Sequence, residues 1–124
     1  MSYQTDIAAA ARDSRDFRRE LHTAGHLQLV VMSVPAGEEI GSEVHDDIDQ
    51  VLTFVSGTGR AEVGEEVTPV GPGQLVFVPA GTRHNFVNTG AEPLVLWTIY
   101  GPPEHPAGTV HATKAEAEAA EHES

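Results

Sequence analysis

The side chains best suited to chemistry lie in two segments, where glycine or proline stands at fixed offsets from side chains that can bind a metal. The first segment contains Gly37, Glu43, His45, Gln50 and Gly57. Residues two apart in a strand point to the same face, so Glu43 and His45 can converge on one point. Gln50 can join them only if the acidic stretch before it turns the chain back. The segment can therefore support metal chemistry.

The second segment contains Gly73, Pro79, Gly81, His84 and Asn88. Proline and the two glycines force a corner before His84, which opens the next strand. The chain has no cysteine, so any metal must be held by histidine, carboxylate and amide groups. The remaining question is whether the two segments meet.

Together these segments resemble the paired motifs of the cupin superfamily. The usual first cupin motif is Gly, five residues, His-x-His, three or four residues, Glu, six residues, Gly. The second motif is matched at every defining position, and 15 residues separate Gly57 from Gly73. The resemblance covers residues 37–88 directly and implies a divalent metal site inside a small β-barrel. The matching ligand positions in this sequence are Glu43, His45, Gln50 and His84.

This sequence departs from the usual cupin pattern at two positions. Glu43 stands in place of the first histidine, and Gln50 in place of the glutamate. Both replacements keep an electron-pair donor, and together they keep one carboxylate in the set. Two imidazoles, one carboxylate and one amide oxygen form a harder set of donors than three imidazoles and one carboxylate. The set therefore favours Mn or Fe, with Zn and then Ni as alternatives.

A second interpretation of the same stretch uses Asp47 instead of Glu43. His45, Asp47 and a distant His84 have the composition of a facial triad of two histidines and one carboxylate. Enzymes with that triad that use 2-oxoglutarate generally need a basic residue after the distal histidine. Lys114 is the only lysine or arginine after His84. We therefore expect Glu43 to face the metal, while Asp47 stays open as the alternative.

No residue outside the ligand set has the placement of a dedicated base, so the catalytic residue is unknown. Tyr100 and His105 are candidates, because the segment leaving the last strand could fold back over the barrel mouth. Side chains in the strands should line any pocket, and Trp97 and Tyr100 have opposite parity, so only one of them should point inward. The candidate substrate-binding residues are Met32, Phe54, Arg60, Phe77, Phe86 and Trp97.

The elements that must position these residues are short strands. Between residues 26 and 100, glycine and proline cut the chain into about eight β-type runs, which is typical of a sandwich or barrel. We predict an all-β fold, a single antiparallel cupin barrel of jelly-roll type, with 26–100 as its core. Residues 1–25 are predicted to form an N-terminal arm with a short helix. Residues 101–124 are predicted to form a tail with a helix over 114–121, since Thr113 and Glu116 have capping-box spacing.

Length and charge restrict the function further. The 124 residues make one domain, 1–124, and the formal net charge of -12 argues against nucleic-acid binding. No apolar run is long enough for a membrane span, and the N-terminus lacks the order of a signal peptide, so we expect a cytoplasmic protein. The apolar run HLQLVV outside the motifs suggests an exposed edge, which predicts a homodimer.

These features predict a metal-binding cupin, interpreted as a small metalloenzyme. Its substrate would be a polar oxygenated small molecule such as a sugar derivative or an oxo acid, and its reaction of the isomerase or dioxygenase type. The alternative is a non-catalytic module that binds a metal or a small molecule. Fold alone does not decide between these two classes.

Overall fold

The computed structural model describes residues 2–123, which form nine β-strands and two α-helices. The helices are α1 (Ile7–Asp13) and α2 (Lys114–Glu123). The strands are β1 (Arg18–Thr23), β2 (Gln28–Val34), β3 (Asp49–Ser56), β4 (Gly59–Val63), β5 (Glu66–Val70), β6 (Leu75–Val78), β7 (His84–Asn88), β8 (Leu94–Gly101) and β9 (Val110–His111).

The strands form an antiparallel sandwich of two sheets. The larger sheet has the order β6-β3-β8-β2-β1-β9, and the smaller one has the order β5-β4-β7. A hairpin turn at residues 63–66 joins β4 to β5, and Gly64 there has a φ of 59°. The predicted all-β fold of jelly-roll type, with two short helices at its ends, is confirmed.

Residues 38–43 run beside β7 and widen the smaller sheet. The Ile40 N–H donates to the carbonyl of Phe86 at 2.9 Å. Glu43 and His84 exchange both backbone hydrogen bonds at 2.9 Å, so the two residues lie directly opposite each other. This pairing fixes one half of the first motif against the start of β7.

The core fills the space between the two sheets. One face of β2 carries Gln28, Val30, Met32 and Val34, and all four are buried. Burying each of the three apolar side chains fully contributes about 1.5–3 kcal/mol. A second cluster lies on the outer side of the larger sheet, where α1 covers Val31 and Val95. The interior is therefore apolar apart from a few polar side chains, among them Gln28 at one end of β2 and Asn88, which donates to the Val34 carbonyl at the other end.

Both chain ends contribute more to the barrel than the sequence indicated. The strand β1 pairs with β2, and β9 pairs with β1, so the larger sheet extends beyond residues 26–100. Residues 18–23 are thus sheet rather than arm. The run HLQLVV lies mostly in β2, between β8 and β1, and is not the exposed edge that we expected from its apolar character.

The predicted C-terminal helix is confirmed as α2. The Glu116 N–H donates to Thr113 Oγ1 at 3.2 Å, and Glu116 Oε2 accepts from the Ala112 N–H at 2.7 Å. This reciprocal pattern is close to a capping box and explains why the helix begins at Lys114. Within the described residues, neither helix is long and apolar enough to cross a membrane.

Candidate metal centre

The structure brings Glu43, His45 and His84 together at one end of the sandwich. One ligand atom from each of the three lies within 4.8 Å of the others. The two imidazole rings are 5.4 Å apart between centroids. Glu43 is held opposite His84 by backbone pairing, and His45 follows just before a turn at residues 46–47. Three of the four predicted ligand positions therefore converge, from two segments distant in sequence.

In both histidines Nδ1 has an oxygen partner behind the ring, which makes Nε2 the nitrogen available to a metal. His84 Nδ1 lies 2.9 Å from the carbonyl oxygen of Thr82, which can only accept, so Nδ1 carries the proton. His45 Nδ1 lies 3.5 Å from Glu104 Oε2, and its Nε2 lies 3.0 Å from Glu43 Oε2. A carboxylate or carbonyl behind the ring is the usual support of a metal-binding histidine. Glu104 is such a support that the sequence did not reveal.

Gln50, the fourth predicted ligand, is a buried side chain at the start of β3. It is 4 % exposed, and its register partner on β8 is Tyr100, whose ring centroid lies 6.1 Å from that of His45. The Nε2 amide donates to Thr98 Oγ1 at 3.0 Å, while Oε1 is buried with no hydrogen-bond partner among the described residues. A buried oxygen without a hydrogen-bond partner lowers the stability of the fold unless a ligand interacts with it. Donor chemistry and burial thus both fit a divalent cation.

The electrostatics of the cluster favour a charged carboxylate. Burial by itself would raise the pKa of Glu43, but the hydrogen bond with His45 and the positive charge of Arg18 outweigh it, so this pKa lies below its usual value. The same hydrogen bond raises the pKa of His45 against the opposing effect of its burial. His45 Nε2 donates its proton to the Glu43 carboxylate in this hydrogen bond, and a cation bound there would replace that proton.

Asp47, the alternative carboxylate, is exposed in the turn that follows His45. It does not belong to the group of ligand atoms around His84, whereas Glu43 does. The parity argument alone allowed either residue, because both lie two positions from His45. Backbone pairing of Glu43 with His84 is what separates them.

Arg18 is a residue of this site that the sequence analysis did not identify. It begins β1 and is 2 % exposed. Its Nη1 lies 3.4 Å from His111 Nδ1, and its Nε is buried without a hydrogen-bond partner in the described part of the chain. It borders a cavity of about 150 Å³ with Glu43, and one of about 250 Å³ with Glu104 and His105.

The segment after β8 folds back over the site, as the sequence suggested. The buried Gln28 fixes it: Oε1 accepts from the N–H groups of Glu104 and His105 at 3.1 and 2.9 Å, and Nε2 donates to the His105 carbonyl at 2.6 Å. His105 consequently lies edge-on to Tyr100, with 5.2 Å between ring centroids. Both candidate catalytic residues therefore lie near the cluster.

Burial controls the protonation of these two residues. It raises the pKa of Tyr100 far above its usual value. Burial and then the charge of Arg18 lower the pKa of His105 to about 3. Near neutral pH, Tyr100 is therefore a hydrogen-bond donor and His105 is uncharged.

The predicted pocket residues divide into two groups. Met32, Phe54 and Phe86 are buried in the core, and the Phe86 ring lies 6.1 Å from that of His84. The other three point away from the interior, so the expectation that they line a pocket inside the barrel is wrong, and their role in substrate binding stays a prediction. Phe77 is 56 % exposed on β6, Arg60 pairs with Glu62 at the surface, and Trp97 packs on the outer side of the larger sheet near α1.

The reason for these three corrections is strand parity. Val78 faces inward, so its neighbour Phe77 faces outward. Tyr100 also faces inward, so Trp97, three residues before it in β8, faces outward. The sequence stated that only one of Trp97 and Tyr100 could point inward, and the structure selects Tyr100. A signal for Gln28 was present, since it shares its face of β2 with Val30 and Met32. Arg18 left no such signal.

Comparison with known proteins agrees with this architecture. Residues 30–100 match the family described as Cupin domain. The chain is 42 % identical to YrkC of Bacillus subtilis (strain 168), over 96 % of this chain and 67 % of that protein. It is 41 % identical to SCO3923 of Streptomyces coelicolor, over 83 % of this chain and 97 % of that protein.

A crystal structure of BH2720 from Bacillus halodurans superposes with a TM-score of 0.94 at 42 % identity, covering 96 % of this chain and 95 % of that one. The cupin resemblance first seen in the two glycine-bounded segments is confirmed over more than half of the sequence. The chain belongs to the cupin family.

Proposed function

We propose that this cupin is a metal-dependent enzyme in which Glu43, His45, Gln50 and His84 hold one divalent cation. The observation that carries the proposal is the meeting of three ligand atoms within 4.8 Å, from two segments distant in sequence. The orphan Gln50 oxygen supports the fourth position. With two imidazoles, one carboxylate and one amide, Mn or Fe is favoured over Zn and Ni.

The bound cation would supply Lewis acidity to an oxygen of the substrate. The surrounding side chains would bind and orient that substrate. Tyr100 keeps its proton and can donate a hydrogen bond, while the uncharged His105 can accept one. The cavity of about 150 Å³ that Glu43 shares with Arg18 favours a small ligand. A polar oxygenated metabolite, an oxo acid or a sugar derivative, fits this polarity and size, with isomerisation or oxygenation as the reaction type.

The first experiment measures metal content. The metal-free protein is dialysed against Mn, Fe, Zn or Ni, and bound metal and melting temperature are recorded for the wild type, His84→Ala and His26→Ala. We expect one equivalent per chain and a higher melting temperature for the wild type and for His26→Ala, because His26 is an exposed histidine away from the cluster.

His84→Ala should lose about 100-fold or more in metal affinity, since removing even an outer support of a metal ligand costs about 10–100-fold. The melting temperature of each metal-free variant shows whether it folds. A wild type that binds none of the four metals and gains no stability from them would contradict the proposal.

A non-catalytic binding module is the second candidate, and one observation favours it. Neither Tyr100 nor His105 has a pKa near neutrality, where a general acid or base is most effective. Turnover and metal-dependent oxygen uptake with a panel of oxo acids and sugar derivatives distinguish the two, with His84→Ala as the blank. Saturable metal binding without turnover would favour the module.

We also propose a cytoplasmic homodimer. The support for self-association is now the outer edge strand β6, where Leu75 and Phe77 are 59 % and 56 % exposed. Exposed apolar edges are usually covered by a partner.

A further inference from the structure

Arg18 is a buried cation beside the proposed metal site. Arginine is almost never buried without a partner, because the charge loses its hydration. Here the side chain is 2 % exposed, and its Nε has no hydrogen-bond partner in the described structure. The guanidinium carbon lies 5.5 Å from the centre of the Phe17 ring, Nη1 lies 3.4 Å from His111 Nδ1, and the side chain also interacts with the Tyr100 hydroxyl. None of these contacts supplies a negative charge.

Three carboxylates border the two cavities that Arg18 shares, those of Glu43, Glu104 and Glu118. Glu118 is paired with Lys114 at 3.8 Å, and the other two have roles at the proposed centre. Glu43 would bind the cation, and Glu104 lies 3.5 Å from the Nδ1 of His45, on the side of the ring opposite Glu43. The guanidinium is therefore not matched by a carboxylate of its own.

A count of formal charges also leaves the positive charge of Arg18 without a matching negative charge. With neutral histidines as ligands, the loaded site holds two positive charges from the cation and one from Arg18. Among the residues that the structure describes, Glu43 and Glu104 supply two negative charges and the Lys114–Glu118 pair cancels, so one positive charge remains. A monoanion would balance it, and charge that is balanced and hydrogen-bonded is the form in which buried ions are tolerated.

We infer that Arg18 binds the carboxylate of an anionic substrate, a small 2-oxo or 2-hydroxy monocarboxylate whose neighbouring oxygen meets the metal. This inference rests on the proposed function and adds the substrate class to it. Arginine suits the task because its planar guanidinium matches a carboxylate with two parallel hydrogen bonds. The cavity of about 150 Å³ that Arg18 shares with Glu43 is the one that reaches a proposed metal ligand, and its volume restricts the ligand to a small molecule.

The test uses pyruvate as the anionic probe and pyruvamide as its uncharged counterpart of similar size. Each is titrated by calorimetry into manganese-loaded wild type, Arg18→Gln, Arg18→Lys and Arg60→Gln. The last variant loses the same charge from an exposed ion pair with Glu62, so it controls for net charge. The manganese affinity of every variant is measured separately by electron paramagnetic resonance.

We expect pyruvate to bind wild type and Arg60→Gln alike, and pyruvamide to bind at least about tenfold more weakly. Arg18→Gln should weaken pyruvate about 30-fold, which corresponds to about 2 kcal/mol. The pyruvate affinity of Arg18→Lys should lie between those of the wild type and Arg18→Gln, because lysine keeps the positive charge but lacks the paired donors of the guanidinium. Manganese affinity should stay the same or rise in Arg18→Gln, since a like charge is removed, whereas a purely structural defect would lower both affinities.

Several results would overturn the inference while leaving the proposed function intact. These are manganese binding without pyruvate binding, equal affinity for pyruvate and pyruvamide, or an unchanged pyruvate affinity in Arg18→Gln. If Arg18→Gln does not fold, the inference is tested by Arg18→Lys and by comparing pyruvate with pyruvamide on the wild type. A pyruvate affinity of Arg18→Lys equal to that of the wild type would contradict recognition of the carboxylate by two parallel hydrogen bonds. A wild type that binds no manganese would contradict the proposed function itself.

Discussion

Polar side chains inside this sandwich are few, and each has an identifiable task. Glu43, His45 and His84 form the cluster, and Gln50 offers an oxygen that the protein leaves without a partner. Thr82 fixes the tautomer of His84. The replacement of a histidine by Glu43 and of a glutamate by Gln50 keeps one carboxylate in the set and makes its donors harder. This balance is why Mn or Fe is the expected occupant.

Gln28 gives a prediction at the scale of a residue. Gln28→Leu should lower the free energy of unfolding by about 2–4 kcal/mol, because the buried backbone groups of residues 104 and 105 lose their partners. Denaturant unfolding measures the change. Gln74→Ala is the control, since Gln74 is exposed and its side chain accepts a hydrogen bond from the Gly71 N–H at the surface, so about 0.5 kcal/mol or less is expected. Equal effects of the two substitutions would refute this role for Gln28.

At the scale of elements, the site depends on turns that bring strands of both sheets to one end. The turn at residues 46–47 carries the chain from the smaller sheet, beside β7, to β3 in the larger sheet. The other motif turns contain glycines with positive φ, among them Gly57 at 85° and Gly73 at 84°. Gly57 lies where β3 passes to β4, close to the backbone of Pro93 and Leu94.

Gly57 and Gly73 allow a graded test of these turns. A Cβ at Gly57 would meet the Pro93 carbonyl oxygen and, at 2.9 Å, the Leu94 Cα, whereas one at Gly73 would meet nothing within 4 Å. We expect Gly57→Ala to cost about 2–4 kcal/mol and Gly73→Ala about 1 kcal/mol, the backbone strain alone. Gly25→Ala, with neither strain nor contact, should be neutral or slightly stabilising. Equal melting temperatures for the Gly57 and Gly73 variants would contradict this order.

Sequence spacing was sufficient for the fold and for the meeting of His45 with His84, because glycine and proline mark the turns that any such barrel needs. It was insufficient where pairing or register decides. All four residues of β6 are apolar, Leu75, Val76, Phe77 and Val78. The pattern therefore does not show which side chains face the core, and Phe77 was wrongly expected to do so. Burial came from pairing with β3, which the local sequence does not encode.

The failure at Arg18 has a different cause. The strand β1 reads RRELHT, which has no apolar alternation, and it forms because β2 offers it a partner. Its first arginine becomes buried only when the tail segment of residues 104–105 and the segment around Glu43 close around it. Enclosure of this kind is a tertiary property, so neither the strand nor the buried charge could be predicted from local spacing.

For the whole molecule, a formal net charge of -12 coexists with apolar strand edges. The charge opposes self-association by repulsion, and salt of about 0.15 M screens it beyond about 8 Å. The edge strand β6 lies at one side of the larger sheet and β9 at the other. Association through β6 would cover its exposed apolar side chains.

We predict a homodimer mass by light scattering at micromolar concentration and 0.15 M salt. Phe77→Glu should give a monomer, because it places a charge in the apolar edge. Val110→Glu is the matched control: Val110 is 46 % exposed on β9, at the opposite edge, and its substitution should leave the dimer intact. A monomer mass for the wild type would contradict the predicted dimer and would show that no second copy covers β6.

The central claim is that residues from two distant segments meet around one cation. Anomalous diffraction at the metal absorption edge, on crystals of the metal-loaded protein, tests it most directly. We predict a single peak per chain, bordered by Glu43, His45, Gln50 and His84 and remote from Asp47. A peak at Asp47 with Glu43 turned to solvent, or no peak between the imidazoles of His45 and His84, would contradict the account.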